Sequence, residues 1–199
     1  MKVVLASGNH GKQAEFSALL ANVGIELVMQ SDLGVTAIEE TGASFVENAL
    51  LKARHAARAT GLPALADDSG LCVDSLGGAP GIHSARYAGG HGDDAANIAR
   101  LLDAMRDVTD PGRGAHFICV LALIRHPEDP LPILAEGRWS GSIVASPRGS
   151  GGFGYDPVFF DAVRGCTAAE LDTAVKNMVS HRARALAVLH ARWLQNNAP

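Results

Sequence analysis

The chain has 199 residues, near the size of one ordinary domain, and its 47% hydrophobic and 19% charged content excludes a disordered polymer. A formal net charge of −4 with no Lys/Arg run argues against a nucleic-acid partner, and the longest apolar run, Phe117 to Ile124, is far short of a membrane span. Cys72, Cys119 and Cys166 form no C-x-x-C pair, so neither a disulfide framework nor a thiolate zinc site is expected. The expectation is one domain covering residues 1–199, with room for two lobes, located in the cytoplasm and without a membrane partner.

Lys2 to Ala6 reads as a short buried strand, broken by Ser7-Gly8-Asn9-His10-Gly11-Lys12; Phe16, Leu19 and Leu20 then keep helical spacing within Gln13 to Ala21. A glycine loop between strand and helix presents backbone N–H groups and a lysine to phosphate oxygens. The plainer alternative is a turn with an exposed lysine. It is not a Walker A loop, because Ala6 and Gln13 stand where Gly and Ser or Thr are required.

A second strand is expected near Ile25 to Met29. Ser44 and Glu47 form an S-x-x-E capping box opening a helix that runs to about Ala59 and is stopped by Gly61 and Pro63. On it Asn48 and Lys52 share one face, distinct from the Phe45-Ala49-Ala53 stripe. Glu39 and Glu40 precede this helix, and Asp67-Asp68 form a break after Leu65 within the segment running to Val73. Carboxylate pairs suit Mg²⁺, although solvated acids and caps are the alternative. Asp67-Asp68 lie among apolar residues, where an uncompensated charge is costly.

Asp93 or Asp94 caps a helix through Met105. His116 to Ile124 and Ile133 to Trp139 read as strands separated by a Pro-bounded turn at Pro127 to Pro132. Gly149, Gly151 and Gly154 fit G-x-G-x-x-G, but the segment runs into an extended Val158-Phe159-Phe160, the wrong context for a dinucleotide site. A loop delivering Phe153, Tyr155 and Asp156 to a pocket fits better, since an aromatic ring can stack on a base. The chain ends in a helix from Thr167, with Glu170 as its T-x-x-E partner, to about Gln195. That region carries Lys176, Ser180, His181 and Arg182, either a ligand-facing cluster or a solvated face. The lysines are only Lys2, Lys12, Lys52 and Lys176, and three of the four fall in segments singled out on other grounds. Alternating strands and helices favour an α/β class with a mixed sheet.

In this order, Ser7-Gly8-Asn9 with Lys12 and Glu15, Glu40-Thr41-Gly42 with Phe45, Asn48, Ala49 and Lys52, and Ala66-Asp67-Asp68-Ser69-Gly70-Leu71 resemble the inosine/xanthosine triphosphate pyrophosphatase family. The likeness continues through Pro80-Gly81 with Ser84-Ala85-Arg86-Tyr87, Phe153-Gly154-Tyr155-Asp156-Pro157, and Lys176-Asn177 with Ser180-His181-Arg182. The resemblance implies two α/β lobes around a long mixed sheet flanked by helices, with an active-site cleft between them, and a homodimer. It further implies Mg²⁺-dependent hydrolysis of ITP, dITP and XTP to the monophosphate and pyrophosphate. The position of Asp68 implies a proton acceptor and magnesium ligand, that of Glu40 a second magnesium ligand, and that of Lys52 a catalytic cation facing the triphosphate. Ser7, Gly8, Asn9, His10, Gly11, Lys12 and Ser69 are implied to bind substrate, with Phe153, Gly154, Tyr155, Asp156, Lys176, His181 and Arg182 around the base. Two other readings stay open: a related pyrophosphatase acting on pyrimidine or modified nucleotides, and a nucleotide-binding regulator, which has little need of Glu40 and Asp68 together.

Overall fold

A run of consecutive apolar residues suits a strand buried on both faces. In the computed structural model, which describes residues 1–7, 16, 20, 24–90 and 92–196, Val3, Val4 and Leu5 of β1 (Lys2–Leu5) are fully buried. β1 pairs in parallel with both β2 (Glu26–Met29) and β3 (Ala64–Val73). With β4 (Gly114–Ile124), β5 (Ile133–Ile143), β6 (Phe159–Asp161) and β7 (Cys166–Thr167) they form a seven-stranded sheet of order β2-β1-β3-β4-β5-β6-β7. β6 runs antiparallel to both β5 and β7. The sheet is therefore mixed, and with helices α1 (Phe45–Thr60), α2 (Asp94–Ala104), α3 (Thr173–Val179) and α4 (His181–Asn196) it gives the expected α/β class.

Register places Leu5 opposite both Met29 and Leu65. The residues that follow, Ala6-Ser7 after β1, Gln30 after β2, and Ala66-Asp67 within β3, therefore emerge at one level. Ligands of open α/β sheets bind beyond the carboxyl ends of parallel strands, which is this level.

Packing divides the chain into two compact units. The first comprises Met1–Asp68, Cys119–Gly137 and Arg182–Pro199, with an aliphatic core that includes Val3, Leu27, Leu65, Leu121 and Leu186. In it α1 begins at Ser44, whose extended backbone and side-chain acceptance of the Glu47 N–H make the expected N-cap, and ends on Gly61. Its buried apolar side chains are small, Ala49, Ala53, Ala56 and Ala57, so the helix lies close against β1. The second unit comprises Ser69–Ile118 and Arg138–His181 and has an aromatic core. There Phe159 sits 4.6 Å from Phe117 and 5.1 Å from Trp139 between ring centroids. Offset and edge-on ring pairs of this type add stabilisation beyond the area they bury.

Three expectations are revised. Asp67-Asp68 do not break the chain: β3 is continuous from Ala64 to Val73, held at Leu65 by the Ala6 N–H at 2.8 Å, and the Asp68 charge is compensated locally. β5 extends past Trp139 to Ile143 because Ser142 and Ile143 pair with β6, and only glycine fits at 141, where a Cβ would lie 2.4 Å from the Phe160 carbonyl oxygen. The C-terminal helix is not continuous. Glu170 closes the capping box on Thr167, but the Ala169 carbonyl accepts from the Gly151 N–H and the Ala169 N–H donates to the Asp156 carbonyl. With those groups committed to the 149–156 loop, the turn at Ala168–Glu170 stops, and α3 and α4 follow separately around an extended Ser180.

Asp161 fastens the β6–β7 turn. One carboxylate oxygen accepts from Trp139 Nε1 at 3.0 Å and Arg164 Nη1 at 2.7 Å, the other from the Val163 N–H at 2.9 Å. Burial raises this carboxyl pKa, but the Arg164, Trp139 and Val163 donors outweigh it and hold the group below its usual value. A depressed folded pKa contributes stability that is present above the unfolded value, about 3.9, and is lost as pH falls through the folded one. Asp161→Asn is therefore expected to lower the urea unfolding free energy by about 1–3 kcal/mol at pH 7, with the gap to wild type shrinking below about pH 4. Equal stability at pH 7 would remove Asp161 from this role.

Candidate active site

The loop before α1 brings a carboxylate to a helix face. Glu47 accepts the Ala43 N–H at 2.5 Å, one residue earlier than a capping box predicts, and this folds the 40–43 segment over the first turn. One residue on, the fully buried Asn48 accepts the Gly42 N–H on Oδ1 at 2.8 Å. A Cβ at position 42 would stand 2.7 Å from that oxygen and from Glu47 Cβ, so the loop comes this close only as glycine.

The other end of Asn48 reaches the sheet: Nδ2 donates to Asp68 Oδ2 at 3.2 Å. Lys52, one helical turn further and on the same face, donates from Nζ to Asp68 Oδ1 at 3.1 Å and to Glu40 Oε1 at 2.6 Å. A loop carboxylate, a strand carboxylate and two helix side chains thus form one cluster within the first unit. The side chains of Lys52, Glu40 and Asp68 are 16%, 26% and 9% exposed, which leaves the cluster reachable but largely dry.

Burial pushes the Asp68 carboxyl upward, Glu40's negative charge adds to the rise, and Lys52 opposes without cancelling it. Burial also works against the Lys52 ammonium, but Asp68, Asp67 and Glu40 outweigh it and hold its pKa above the ordinary lysine value. The lysine is therefore charged at neutral pH.

A cavity of about 180 Å³ adjoins the cluster, lined in part by Ser7, Gln30, Glu40, Lys52 and Asp67. Sites for drug-sized ligands run to roughly 300–1,000 Å³, so among the described residues this space suits the polar end of a ligand. Glu40 and Asp68 present hard oxygen donors to a common point, marked by Lys52 Nζ. That is the protein contribution Mg²⁺ usually takes, one or two carboxylates with water and substrate phosphates supplying the rest. No set of three or more His, Cys, Asp and Glu side chains converges among the described residues.

The second unit places another group of the expected residues. The Lys176 ammonium pairs with Asp156 Oδ2 and lies 4.9 Å from the Phe153 ring centroid. The same oxygen accepts the Phe153 N–H at 2.7 Å, and Asp94 Oδ2 accepts the Gly154 N–H at 2.6 Å. Phe153 is 55% exposed, whereas Tyr155 is 4% exposed and donates its hydroxyl to the Ser84 carbonyl at 2.9 Å. The ring at the surface is thus Phe153, and Tyr155 is a core residue whose phenol pKa is raised by burial. His181 is buried with its ring stacked 5.0 Å from that of Phe117, and Arg182 follows it in α4. Ser69 is half-buried beside Asp68 in β3. Gly8, Asn9, His10, Gly11 and Lys12 lie outside the described residues.

Two contributors escape sequence reasoning. Asp94 carries only a helix-start signal, and its bond to Gly154 spans 60 residues. Gln30, buried at the end of β2, gives no sign beyond being a polar residue after a strand. Asn48→Leu leaves the Gly42 N–H and an Asp68 oxygen without their partner. It should lower unfolding free energy by about 2–4 kcal/mol in urea titration; a change within about 0.5 kcal/mol would show that the bridge carries no weight.

A model of the Ham1 family matches residues 3–192 of the chain. The chain is 62% identical over 187 residues, 94% of each sequence, to the dITP/XTP pyrophosphatase of Xanthomonas campestris pv. campestris strain 8004. It is 56% identical, over 94% of this chain and 95% of the relative, to the dITP/XTP pyrophosphatase of Shigella flexneri. Among solved structures, a HAM1 protein from Coxiella burnetii superposes with a TM-score of 0.94 at 48% identity, covering 98% of this chain and 99% of that one.

Proposed function

The chain belongs to the Ham1 family, and on that premise we propose that it hydrolyses non-standard purine nucleoside triphosphates, ITP, dITP and XTP, to the monophosphate and pyrophosphate. The observation that carries the reading is the meeting of Glu40 and Asp68 on the one Lys52 ammonium. A regulator that only binds a nucleotide has little need of Glu40 and Asp68 together, whereas hydrolysis at phosphorus uses both a cation site and a base.

In this reading Glu40 and Asp68 hold Mg²⁺, which when bound neutralises charge on the phosphate oxygens. Asp68 takes a proton from the water whose oxygen bonds to the α-phosphorus, as the bond from that phosphorus to the bridging oxygen breaks and pyrophosphate leaves. Lys52 stabilises the departing pyrophosphate, joined by Lys12 and backbone N–H groups of the Ser7–Lys12 segment. Ser69 also contacts the substrate.

Base recognition is assigned to Phe153, Gly154, Tyr155, Asp156, Lys176, His181 and Arg182. Phe153 offers the stacking surface, with Tyr155 supporting the loop from the core. Hypoxanthine and xanthine present a carbonyl at position 6 where adenine presents an amino group. Donors such as Lys176, His181 or Arg182 directed at that oxygen would face N–H groups if adenine entered, a mismatch that can reach about 10⁴- to 10⁵-fold. A homodimer in the cytoplasm completes the proposal; no helix among the described residues is long and apolar enough to cross a membrane.

A panel of nucleoside triphosphates with Mg²⁺, read for pyrophosphate against orthophosphate, should give ITP, dITP and XTP as the fastest substrates and pyrophosphate as product. Fastest turnover of UTP or dTTP would overturn the base assignment, and tight ITP binding without pyrophosphate would favour the regulator. Asp68→Asn should lower kcat by at least about 10²-fold, the usual share of a positioned base, and a near-normal kcat would remove Asp68 from that role.

A further inference from the structure

Lys52 occupies the place that a cation serving both carboxylates has to take. Its Nζ lies 2.6 Å from Glu40 Oε1 and 3.1 Å from Asp68 Oδ1, while the remaining Asp68 oxygen accepts from Asn48. An ion coordinated by both carboxylates and an ammonium bonded to both cannot share that volume. Moved only a few ångströms aside, a single and a double positive charge still repel strongly in so dry a setting.

The lysine also has somewhere to go. It lines the cavity of about 180 Å³, and its four-carbon stem lets the ammonium swing while α1 stays in place. In that direction it meets only the single carboxylate of Asp67 among the described residues that line the cavity beyond Glu40, and a triphosphate would supply several anionic oxygens at once.

We propose that Lys52 is an internal competitor of the divalent ion: its ammonium closes the Glu40 and Asp68 pair in the nucleotide-free protein, keeps affinity for Mg²⁺ alone low, and releases the carboxylates when phosphate oxygens accept it. Ion binding and triphosphate binding then favour each other by the same factor, as linkage requires. This rests on the reading of Glu40 and Asp68 as the magnesium ligands. It adds that the lysine works against the ion before it works on the substrate.

The test uses Mg²⁺ alone, by calorimetry on the full chain without nucleotide. Lys52→Met should bind Mg²⁺ at least about tenfold more tightly than wild type, because a nearby positive charge is gone. Lys52→Arg keeps the charge and should stay weak, and adding Glu40→Gln to Lys52→Met should abolish the gain. A Met variant that binds no more tightly, or a gain that survives Glu40→Gln, overturns the proposal.

A measurement on the wild-type sequence is independent of how the variants fold. With only four lysines in the chain, the ε-methylene signal of Lys52 can be resolved in protein made with ¹³Cε-labelled lysine, and it should shift with the same midpoint as Mg²⁺ binding. A Lys52 signal unmoved at saturating Mg²⁺ overturns the proposal. None of these readouts involves turnover. Failure of the nucleotide panel with a clear gain for Lys52→Met would therefore sink the pyrophosphatase reading alone, and the reverse result would sink only the competition.

Discussion

One ammonium between two carboxylates organises the first unit. Lys52 reaches a loop through Glu40 and a central strand through Asp68, and the Asp68 carboxylate is buried enough that a charge there is costly without a cation. A lone buried charge is expensive, so the loop and strand are tied to whatever stands between them. Burial and Glu40 together still raise the Asp68 pKa against the pull of Lys52.

The frame around it is set by small side chains and strand register. Ala49, Ala53, Ala56 and Ala57 let α1 settle close to the sheet, which brings the short Asn48 within reach of β3 while the longer Lys52 spans to the loop. Parallel pairing at Leu5 with Met29 and Leu65 brings Ser7, Gln30 and Asp67 to one level beside the same cavity. The proposed triphosphate end of the site is thus a product of how a helix and three strand ends are spaced.

The second unit solves a different problem, that of holding a glycine-rich loop in one shape. Its aromatic core carries Tyr155 as a packed residue, and Asp156, Asp94 and Ala169 each fasten the backbone of the 151–156 stretch. With Tyr155 committed to the interior, the adjacent Phe153 ring stays at the surface, next to an ammonium that Asp156 keeps in place.

Much of this was legible in the residues because the signals are local. The α1 cap at Ser44, its stop at Gly61, the cap at Asp93 and the shared face of Asn48 and Lys52 all follow from backbone hydrogen-bonding needs and helical spacing, which act within a few positions. Distant contacts left no such mark. The continuity of β3 through Asp67-Asp68 depends on the Lys52 cation of α1 and on pairing with β1, and the end of the turn after Thr167 depends on a loop that borrows the Ala169 backbone. Whether Phe153 or Tyr155 faces outward was decided by the Ser84 carbonyl, 71 residues from the tyrosine it binds. Sequence by itself determined the element types, the α/β class and the segments that carry chemistry. Only the tertiary structure decided which carboxylates share a cation and which ring is exposed, because those depend on groups brought together by packing.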